Sequence, residues 1–377
     1  MHEVDLTDPA VMADPFTAYD RAREAGPVVR LNIPGMPMWA LTRRDDARAL
    51  LTDPRFVIRS GSFTGIPGVP EDYQRYLRTM SEMDGQDHLR LRRLAAPGFT
   101  ARRAQDFRPS VVPIAGELAA GLPADADLLR DFAVPLPMLV ICELVGVPEA
   151  DRADWVGWGA IVASGDGRRF GEAIPGIVEG AKALVAARPN TGVLADLIGD
   201  DDRMTDTELV TLVWHIVLAG QTPANLIANA VAALWTRPND LAALRADPSL
   251  LPGAVDELTR WCGPQLLTVP RFAAEDVDLH GVRVATGEPV TVAIAAVNRD
   301  PRVFADPGRL DLRRAAASQL GFGHGPHFCL GAAHARVETE VALGALLARD
   351  ITLVGEPVRA PDPGTWRLTE LPARVGV

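Results

Sequence analysis

The stretch FGHGPHFCLG, residues 322–331, places one cysteine between a glycine-rich loop and the start of a predicted helix. Backbone N–H groups without helical partners and the positive end of a helix dipole favour the thiolate form of Cys329 at this position. Gly323 and Gly331 allow the backbone to approach a bulky group closely, and Phe322 can pack over the sulfur. The local chemistry therefore predicts a shielded bond between a metal and the Cys329 thiolate.

The other two cysteines predict no second metal site. Cys142 lies in an apolar predicted helix and Cys262 lies beside Trp261, so we expect both to pack as small core side chains. The three cysteines form no C-x-x-C pair, which argues against a zinc ribbon and against a disulfide scaffold. Cys329 is thus the one thiol with a predicted chemical role.

The run from 322 to 331 matches the pattern F-G-x-G-x-H-x-C-x-G and resembles the haem-binding loop of soluble bacterial (actinobacterial-type) cytochrome P450 proteins. The resemblance implies that Cys329 is the proximal ligand of haem b iron, where an axial thiolate favours O–O cleavage. It extends from Asp14 to the C-terminus, so we expect a single domain over residues 1–377. The implied fold is mainly α with a small β portion: a helix-rich triangular prism with the haem between the distal helix and the cysteine loop with its proximal helix.

A second motif, Glu257-Leu258-Thr259-Arg260, puts an acid and a base three residues apart on one face of a predicted helix. It resembles the E-x-x-R structural motif of the family. A buried pair of this kind needs further partners, and Arg309 or Arg299 is expected to supply a second arginine.

Four side chains stand where the family binds the haem propionates. His88 and Arg92 are spaced as H-x-x-x-R on one helical face, and Arg271 and His327 occupy the other matching positions. Arginine forks and imidazole donors suit carboxylates in a half-buried site. The resemblance therefore implies that these four residues hold the haem.

The distal helix departs from the family pattern A/G-G-x-D/E-T-T/S. Ala219 and Gly220 keep the small residues expected to leave room for oxygen, but Thr222 stands at the acid position and Pro223 at the alcohol position. A shift by one residue puts Gln221 and Thr222 there instead, and neither register contains a carboxylate. Gln221 and Thr222 are the candidates for proton delivery, and Pro223 predicts a kink or local widening near Gly220.

Three functions remain compatible with this sequence. The first is hydroxylation of a C–H bond in a natural-product intermediate, with O₂ and electrons from ferredoxin. The second is oxidative crosslinking of aromatic side chains in a peptide by C–C, C–N or C–O coupling, which would depend less on proton delivery. The third, from another class, is a haem-binding sensor or carrier without catalysis.

The substrate cavity is expected to have an apolar lining from three parts of the chain. The first is the irregular stretch before His88, residues 60–84, which is also a candidate lid. The second is the distal helix, and the third is the segment after the E-x-x-R helix. The predicted lining residues, besides Gln221, are Ile66, Met83, Val217, Leu266, Leu267 and Val269.

Composition and charge restrict the partners. The chain has 377 residues, of which 47% are hydrophobic, and a net charge of -11. These values predict a globular cytoplasmic protein that is a monomer and binds neither nucleic acid nor membranes. Its positive charge is almost entirely arginine, because Lys182 is the only lysine. A basic face is expected to bind an acidic ferredoxin, which a separate ferredoxin reductase would reduce. Its predicted members are Arg90, Arg93, Arg102 and Arg103.

The coarse pattern predicts helices separated by short strands. A helix is expected to end near Gly26-Pro27, strands to lie on both sides of Pro34-Gly35, and a helix to follow at 45–51. Helical patterns dominate residues 87–297, with short strands at 269–272, 277–279 and 290–293, and a last helix follows Cys329.

Overall fold

The computed structural model describes residues 2–33, 35–59, 69–189, 192–197, 204–316 and 318–376. The described residues form two compact units, each assembled from separate stretches of chain. Unit 1 falls within Met1–Arg59, Thr236–Cys329 and Pro357–Thr369, and unit 2 within Ser60–Trp235, Leu330–Glu356 and Glu370–Val377.

Helices make up most of the described chain, as the sequence predicts. They are α1 (Pro9–Ala13), α2 (Pro15–Ala25), α3 (Arg44–Thr52), α4 (Glu71–Gln74), α5 (Gly85–Ala95), α6 (Ala101–Ala120), α7 (Pro135–Val145), α8 (Arg152–Ala163), α9 (Phe170–Ala187), α10 (Gly192–Leu197), α11 (Asp206–Gly220), α12 (Thr222–Trp235), α13 (Pro238–Ala246), α14 (Leu251–Cys262), α15 (Ile294–Val297) and α16 (Ala332–Leu347).

The strands are short, which confirms the expected small β portion. They are β1 (Glu3–Asp5), β2 (Val28–Asn32), β3 (Met38–Leu41), β4 (Phe56–Val57), β5 (Asp125–Asp127), β6 (Arg271–Ala273), β7 (Val277–Leu279), β8 (Val282–Val284), β9 (Pro289–Val292), β10 (Ile351–Leu353), β11 (Val358–Arg359), β12 (Leu368–Glu370) and β13 (Pro372–Val375).

Unit 1 is organised by a six-stranded sheet in the order β1-β2-β3-β9-β6-β4. The antiparallel pair β2 and β3 has Val28 opposite Leu41 and Val29 opposite Ala40, and all four side chains are buried. Parallel pairing of β3 with β9, and antiparallel pairing of β9 with β6, places Arg271 opposite Val290. The sheet therefore fixes the position of Arg271, one of the predicted propionate ligands.

The E-x-x-R pair lies in unit 1 on α14. Arg260 donates to both carboxylate oxygens of Glu257 over 2.7 Å, and both side chains are fully buried. The second arginine on Glu257 is Arg314, whose Nε lies 3.1 Å from Oε1. The prediction of Arg309 was wrong: its backbone carbonyl accepts from Arg260, while its exposed guanidinium binds Asp311.

The alternative, Arg299, also lies away from Glu257. Its guanidinium stacks over Phe16 and Trp261, with 3.8 and 5.3 Å to the ring centroids. Its Nη2 donates to the Trp261 carbonyl over 3.1 Å. Arg299 thus packs an aromatic corner of unit 1 and takes no part in the motif.

Unit 2 is a helical assembly whose core is built around α7, α9 and α11. Its buried residues include Cys142, Ile177 and Trp214. At the start of α11, the Thr205 hydroxyl accepts from the Glu208 N–H, and the Glu208 carboxylate accepts from the Thr205 N–H. This reciprocal capping box fixes where the distal helix begins.

The regular helix is interrupted between α11 and α12. Gln221 lies between them, and its carbonyl accepts from the Ala224 N–H three residues later, over 3.1 Å. Pro223 has no N–H to donate, so the ordinary four-residue bonding cannot continue through this turn. The predicted irregularity beside Gly220 is therefore confirmed as a local break in the helix.

Within the described residues, α11 and α12 taken together, Asp206–Trp235, are long and apolar enough to cross a membrane. Of their most apolar window, 67% is buried inside the protein. A core helix of a globular protein has the same features, so this is weak evidence for a membrane span.

Candidate active site

The loop before Cys329 has a tightly defined backbone in unit 1. The Cys329 N–H donates to the Phe322 carbonyl over 2.8 Å, closing the loop on itself. Gly323 and Gly325 have φ values of 74° and 73°, which side-chain-bearing residues rarely adopt. A Cβ added to Gly325 would also lie only 2.8 Å from the Leu51 carbonyl oxygen. The glycines are thus required for the loop that presents Cys329, whose side chain is exposed.

The two other cysteines have the buried positions that the sequence predicts. Burial raises the pKa of the Cys142 thiol to about 12, and burial likewise raises the pKa of Cys262 to about 12. Both thiols therefore stay protonated at neutral pH and are poor metal ligands. Cys329 is left as the thiol suited to bind a metal.

Cys329 as a single protein ligand suits a metal whose other ligands come from a cofactor. Among the described residues, no three His, Cys, Asp or Glu side chains cluster as a metal site. A single thiolate can hold iron when a porphyrin supplies the equatorial nitrogens. The exposed Cys329 on a glycine loop is therefore consistent with haem and inconsistent with a zinc or mononuclear iron site.

The predicted propionate ligands lie on regular elements or on the cysteine loop. In unit 1, Arg271 is on β6 and is 5% exposed, and His327 is half-buried two residues before Cys329. In unit 2, His88 and Arg92 lie one turn apart on α5, with His88 buried and Arg92 half-buried. Each unit thus presents an arginine and a histidine in sheltered positions, which suits recognition of carboxylates.

His215, on α11, is a site residue that the sequence analysis missed. Burial and, to a smaller extent, the charges of Arg92 and His88 lower its pKa to about 4, so the imidazole is neutral at pH 7. His215 precedes Ala219 by four residues, a spacing that puts both on one helical face. This four-residue spacing is the sequence signal that could have identified His215 as a site residue.

A cavity of about 370 Å³ lies within unit 2, between α5, α11 and the segment that includes α4. Its apolar lining consists of Met80, Met83, Leu91, Met204 and Leu212. Its charged or titratable lining consists of Arg75, Arg78, Asp87, Arg90, Glu208 and His215. The cavity is therefore apolar in part, as predicted, but it also carries several arginines that the sequence analysis did not place there.

The predicted pocket residues have different locations. Met83 lines the cavity, whereas Val217 is fully buried in the core of unit 2 and does not line it. In unit 1, Leu266 and Leu267 pack against the core that includes Leu31, and Val269 is exposed. Ile66 lies outside the described residues.

The relay candidates occupy contrasting environments in unit 2. Gln221 is 3% exposed, and neither its Oε1 nor its Nε2 has a hydrogen-bond partner among the described residues. Thr222 is half-buried and Ala219 is exposed. A Cβ on Gly220 would lie 2.7 Å from Cδ1 of Ile141, so the missing side chain lets α11 pack closely on α7. Gln221 is thus the buried relay candidate, and its amide lacks hydrogen-bond partners among the described residues.

The arginines of the predicted docking face are mostly bound to acids. Arg90 binds both carboxylate oxygens of Glu208, over 2.8 and 3.3 Å. The exposed Arg102 lies 3.7 Å from Asp106, and Arg103 lies 3.1 Å from a carboxylate oxygen of Asp196. Arg93 is exposed on α5. Because Arg90 lines the cavity and is neutralised by Glu208, it contributes little to a docking face.

Comparison with known proteins gives consistent results along the chain. A family profile described as "Cytochrome P450" matches residues 178–350. Vitamin D(3) 25-hydroxylase of Pseudonocardia autotrophica is 38% identical, with 91% of this chain and 88% of that protein covered. Cytochrome P450 monooxygenase PikC of Streptomyces venezuelae is 39% identical, covering 96% of this chain and 91% of that protein. The solved structure of the ligand-free P450 monooxygenase TamI is 35% identical, with a TM-score of 0.88 over 99% of this chain and 94% of that one.

The fold, the cysteine loop and these relatives together define an oxidoreductase of the monooxygenase class. The chain belongs to the cytochrome P450 family. Membership implies a haem-iron cofactor, in agreement with the donor set at Cys329.

Proposed function

We propose that the protein hydroxylates a C–H bond of a natural-product intermediate, with O₂ as oxidant and electrons from a ferredoxin that a separate reductase reduces. The observation that carries this proposal is the cavity on the distal helix, whose lining includes three methionines, two leucines and the half-buried His215. The apolar part of the lining can pack against an apolar substrate and orient one of its C–H groups. The names of the relatives, a hydroxylase and monooxygenases, favour the same reaction.

The chain's own residues have separable tasks in this proposal. Cys329 holds the iron of haem b, and His88, Arg92, Arg271 and His327 hold the propionates by charge-assisted hydrogen bonds. The haem, when bound, supplies the activation of dioxygen. The protein supplies orientation, exclusion of water and a proton route.

The proton route has no carboxylate, so we assign it to the break in the distal helix. The Gln221 amide has one acceptor and two donor hydrogens without partners among the described residues, enough to hold an ordered water. Thr222 is the next residue and carries a hydroxyl that can donate and accept in turn. These two residues are proposed to pass protons in place of the missing acid and alcohol.

Oxidative crosslinking of a peptide is the second candidate. The observation in its favour is the same break, because the acid and alcohol of the family pattern are replaced by Thr222 and Pro223 in one register and by Gln221 and Thr222 in the other. Coupling of two aromatic rings removes two hydrogen atoms and incorporates no oxygen, so it depends less on that route.

Reconstitution with a surrogate ferredoxin, its reductase and a panel of apolar substrates tests the proposal. With ¹⁸O₂, hydroxylation gives a product that contains one labelled oxygen atom. A product lacking two hydrogens and containing no label would support crosslinking and contradict hydroxylation. Haem that binds ligands while every substrate is returned unchanged would favour a sensor or carrier.

A further inference from the structure

Two arginines at the cavity lie on a segment whose other side chains are buried. Along the chain after α4, Arg75 and Arg78 are exposed, whereas Tyr76 and Leu77 are 5% and 0% exposed. Both arginines line the cavity. Because Tyr76 and Leu77 belong to the main core of unit 2, the backbone that carries the arginines is anchored to that core.

The chain's single lysine fastens this segment to α9. The Lys182 ammonium lies 5.1 Å from the ring centroids of both Tyr73 and Tyr76, and it binds Glu179 over 2.7 Å. On the same segment the Arg75 guanidinium stacks over Tyr76, at 4.9 Å from the centroid. A stacked guanidinium keeps its N–H donors along its edge. Arg75 is therefore held in place with donors still available for a ligand.

The charges around the cavity do not cancel. Arg90 and Glu208 neutralise each other through their two hydrogen bonds. The other charged residues of the lining are Arg75, Arg78 and Asp87, two positive and one negative, which leaves a net positive charge. Among the described residues, no hydrogen bond or ion pair occupies the Arg78 side chain. The chain as a whole has a net charge of -11, so this positive edge stands out from its surroundings.

We propose that the substrate of this site is an amphipathic carboxylate, with its apolar body beside Met80, Met83 and Met204 and its carboxylate bound by Arg75 and Arg78. The proposal rests on the proposed function, since it names the substrate class for the same cavity. Arg75 is already stacked on Tyr76 and so loses little conformational freedom on binding, and the planar donors of both arginines match the geometry of a carboxylate. A charged end fixed at the edge would orient the apolar chain in one direction within the cavity.

Calorimetric titration of the haem-loaded protein with decanoate and with decanamide tests this inference. The two probes share the same chain and differ in the charge of the head group. We expect decanoate to bind at least about tenfold more tightly, equivalent to about 1.4 kcal/mol. The preference should decrease with added salt, because an exposed ion pair is screened. Equal affinities for the two probes would overturn the proposal.

Variants at the edge show whether these two arginines cause the preference. In the double variant R75A/R78A, decanoate and decanamide should bind equally, while decanamide keeps its wild-type affinity. Charge reversal in R75E/R78E should make decyltrimethylammonium the preferred probe. The control is R102A, which removes an exposed arginine that does not line the cavity, and it should keep the wild-type preference. A preference that survives in R75A/R78A would contradict the assignment.

The binding assay is independent of turnover. If decanoate is preferred through Arg75 and Arg78 but no oxygen enters any substrate, the substrate class stands and the proposed hydroxylation fails. If apolar neutral compounds are hydroxylated and carboxylates are not preferred, hydroxylation stands and the substrate class fails. Circular dichroism of the double variants checks that the exposed substitutions leave the helices intact.

Discussion

Arg260 donates two hydrogen bonds of 2.7 Å to Glu257, and both side chains are completely shielded from solvent. Arg260 also donates to the carbonyls of Asn298 and Pro307, each over 2.8 Å. The buried charges are thus paired, and the remaining donors bind the chain that leads to the cysteine loop. Removing Glu257 would leave the buried charge of Arg260 uncompensated, at a cost of roughly 3–5 kcal/mol.

Arg314 should matter more for stability than Arg309. Arg314 is 12% exposed and binds Glu257, whereas Arg309 is 66% exposed and pairs only with Asp311. We expect R314A to lower the free energy of unfolding by roughly 1.5–3 kcal/mol, since it removes a hydrogen bond to a buried charge. The control R309A should change it by about 0.5 kcal/mol or less. Urea unfolding measures both, and equal effects would contradict the assignment of Arg314.

Gln221 should affect coupling without contributing to stability. Its buried amide has no partner among the described residues, so Q221L removes an unsatisfied polar group and should leave the free energy of unfolding unchanged or higher. The same variant should release a larger fraction of consumed O₂ as hydrogen peroxide, because protons are delivered less well. Q221E, which can donate and accept, should restore coupling. The measurements are urea unfolding and the ratio of peroxide to product. Unchanged peroxide in Q221L would exclude Gln221 from the proton route.

His334 should make the protein less stable in mild acid. Burial lowers its pKa from 6.5 to about 4, and its ring packs against Phe99 and Phe107 at centroid distances of 5.5 and 6.1 Å. The unfolded chain binds a proton below pH 6.5 that the folded state rejects, so stability falls as the pH decreases from 6.5 towards 4. H334F keeps the packing and should flatten the dependence of the urea midpoint on pH in that window. Parallel curves for the variant and the wild type would contradict this.

Glu338 should have the opposite pH dependence. It lies on α16, is 5% exposed, and burial raises its pKa from 4.5 to about 8. The folded state therefore keeps a proton that the unfolded chain releases, so stability is lost as the pH rises from 4.5 through 8. E338Q should match the wild type at low pH and become more stable than it above pH 4.5, by up to about 1.4 kcal/mol for each pH unit. Urea unfolding from pH 5 to pH 8 measures the difference, which should be absent if Glu338 is ionised in the folded protein.

Local motifs predicted the fold and the loop that carries Cys329 because short stretches of chain contain their physical cause. The loop before Cys329 needs glycines at its positive-φ positions, and the glycine-proline pair after α2 favours the end of that helix. By contrast, α6 continues through Pro109 and Pro113, which local rules read as helix breakers. Its packing against neighbouring helices outweighs that preference, and such packing is not visible in a short stretch of sequence.

The cavity was harder to predict because its lining depends on which face of each element turns inward. Val217 and His215 are two residues apart on α11, so they point in different directions, and only His215 lines the cavity. The partner of Glu257 was missed for a related reason. Several arginines follow α14 in an irregular stretch, and sequence spacing cannot show which of them turns towards the buried carboxylate.

The central claim is that the Cys329 thiolate holds the haem iron. The reduced protein should form a carbon monoxide complex with the long-wavelength Soret band that thiolate ligation produces. The variants C142S and C262S should keep this band, because both thiols are buried and protonated. The variant C329S should lose it while still folding, as judged by circular dichroism. Persistence of the thiolate band in C329S, or its loss in C142S or C262S with the fold intact, would contradict the account.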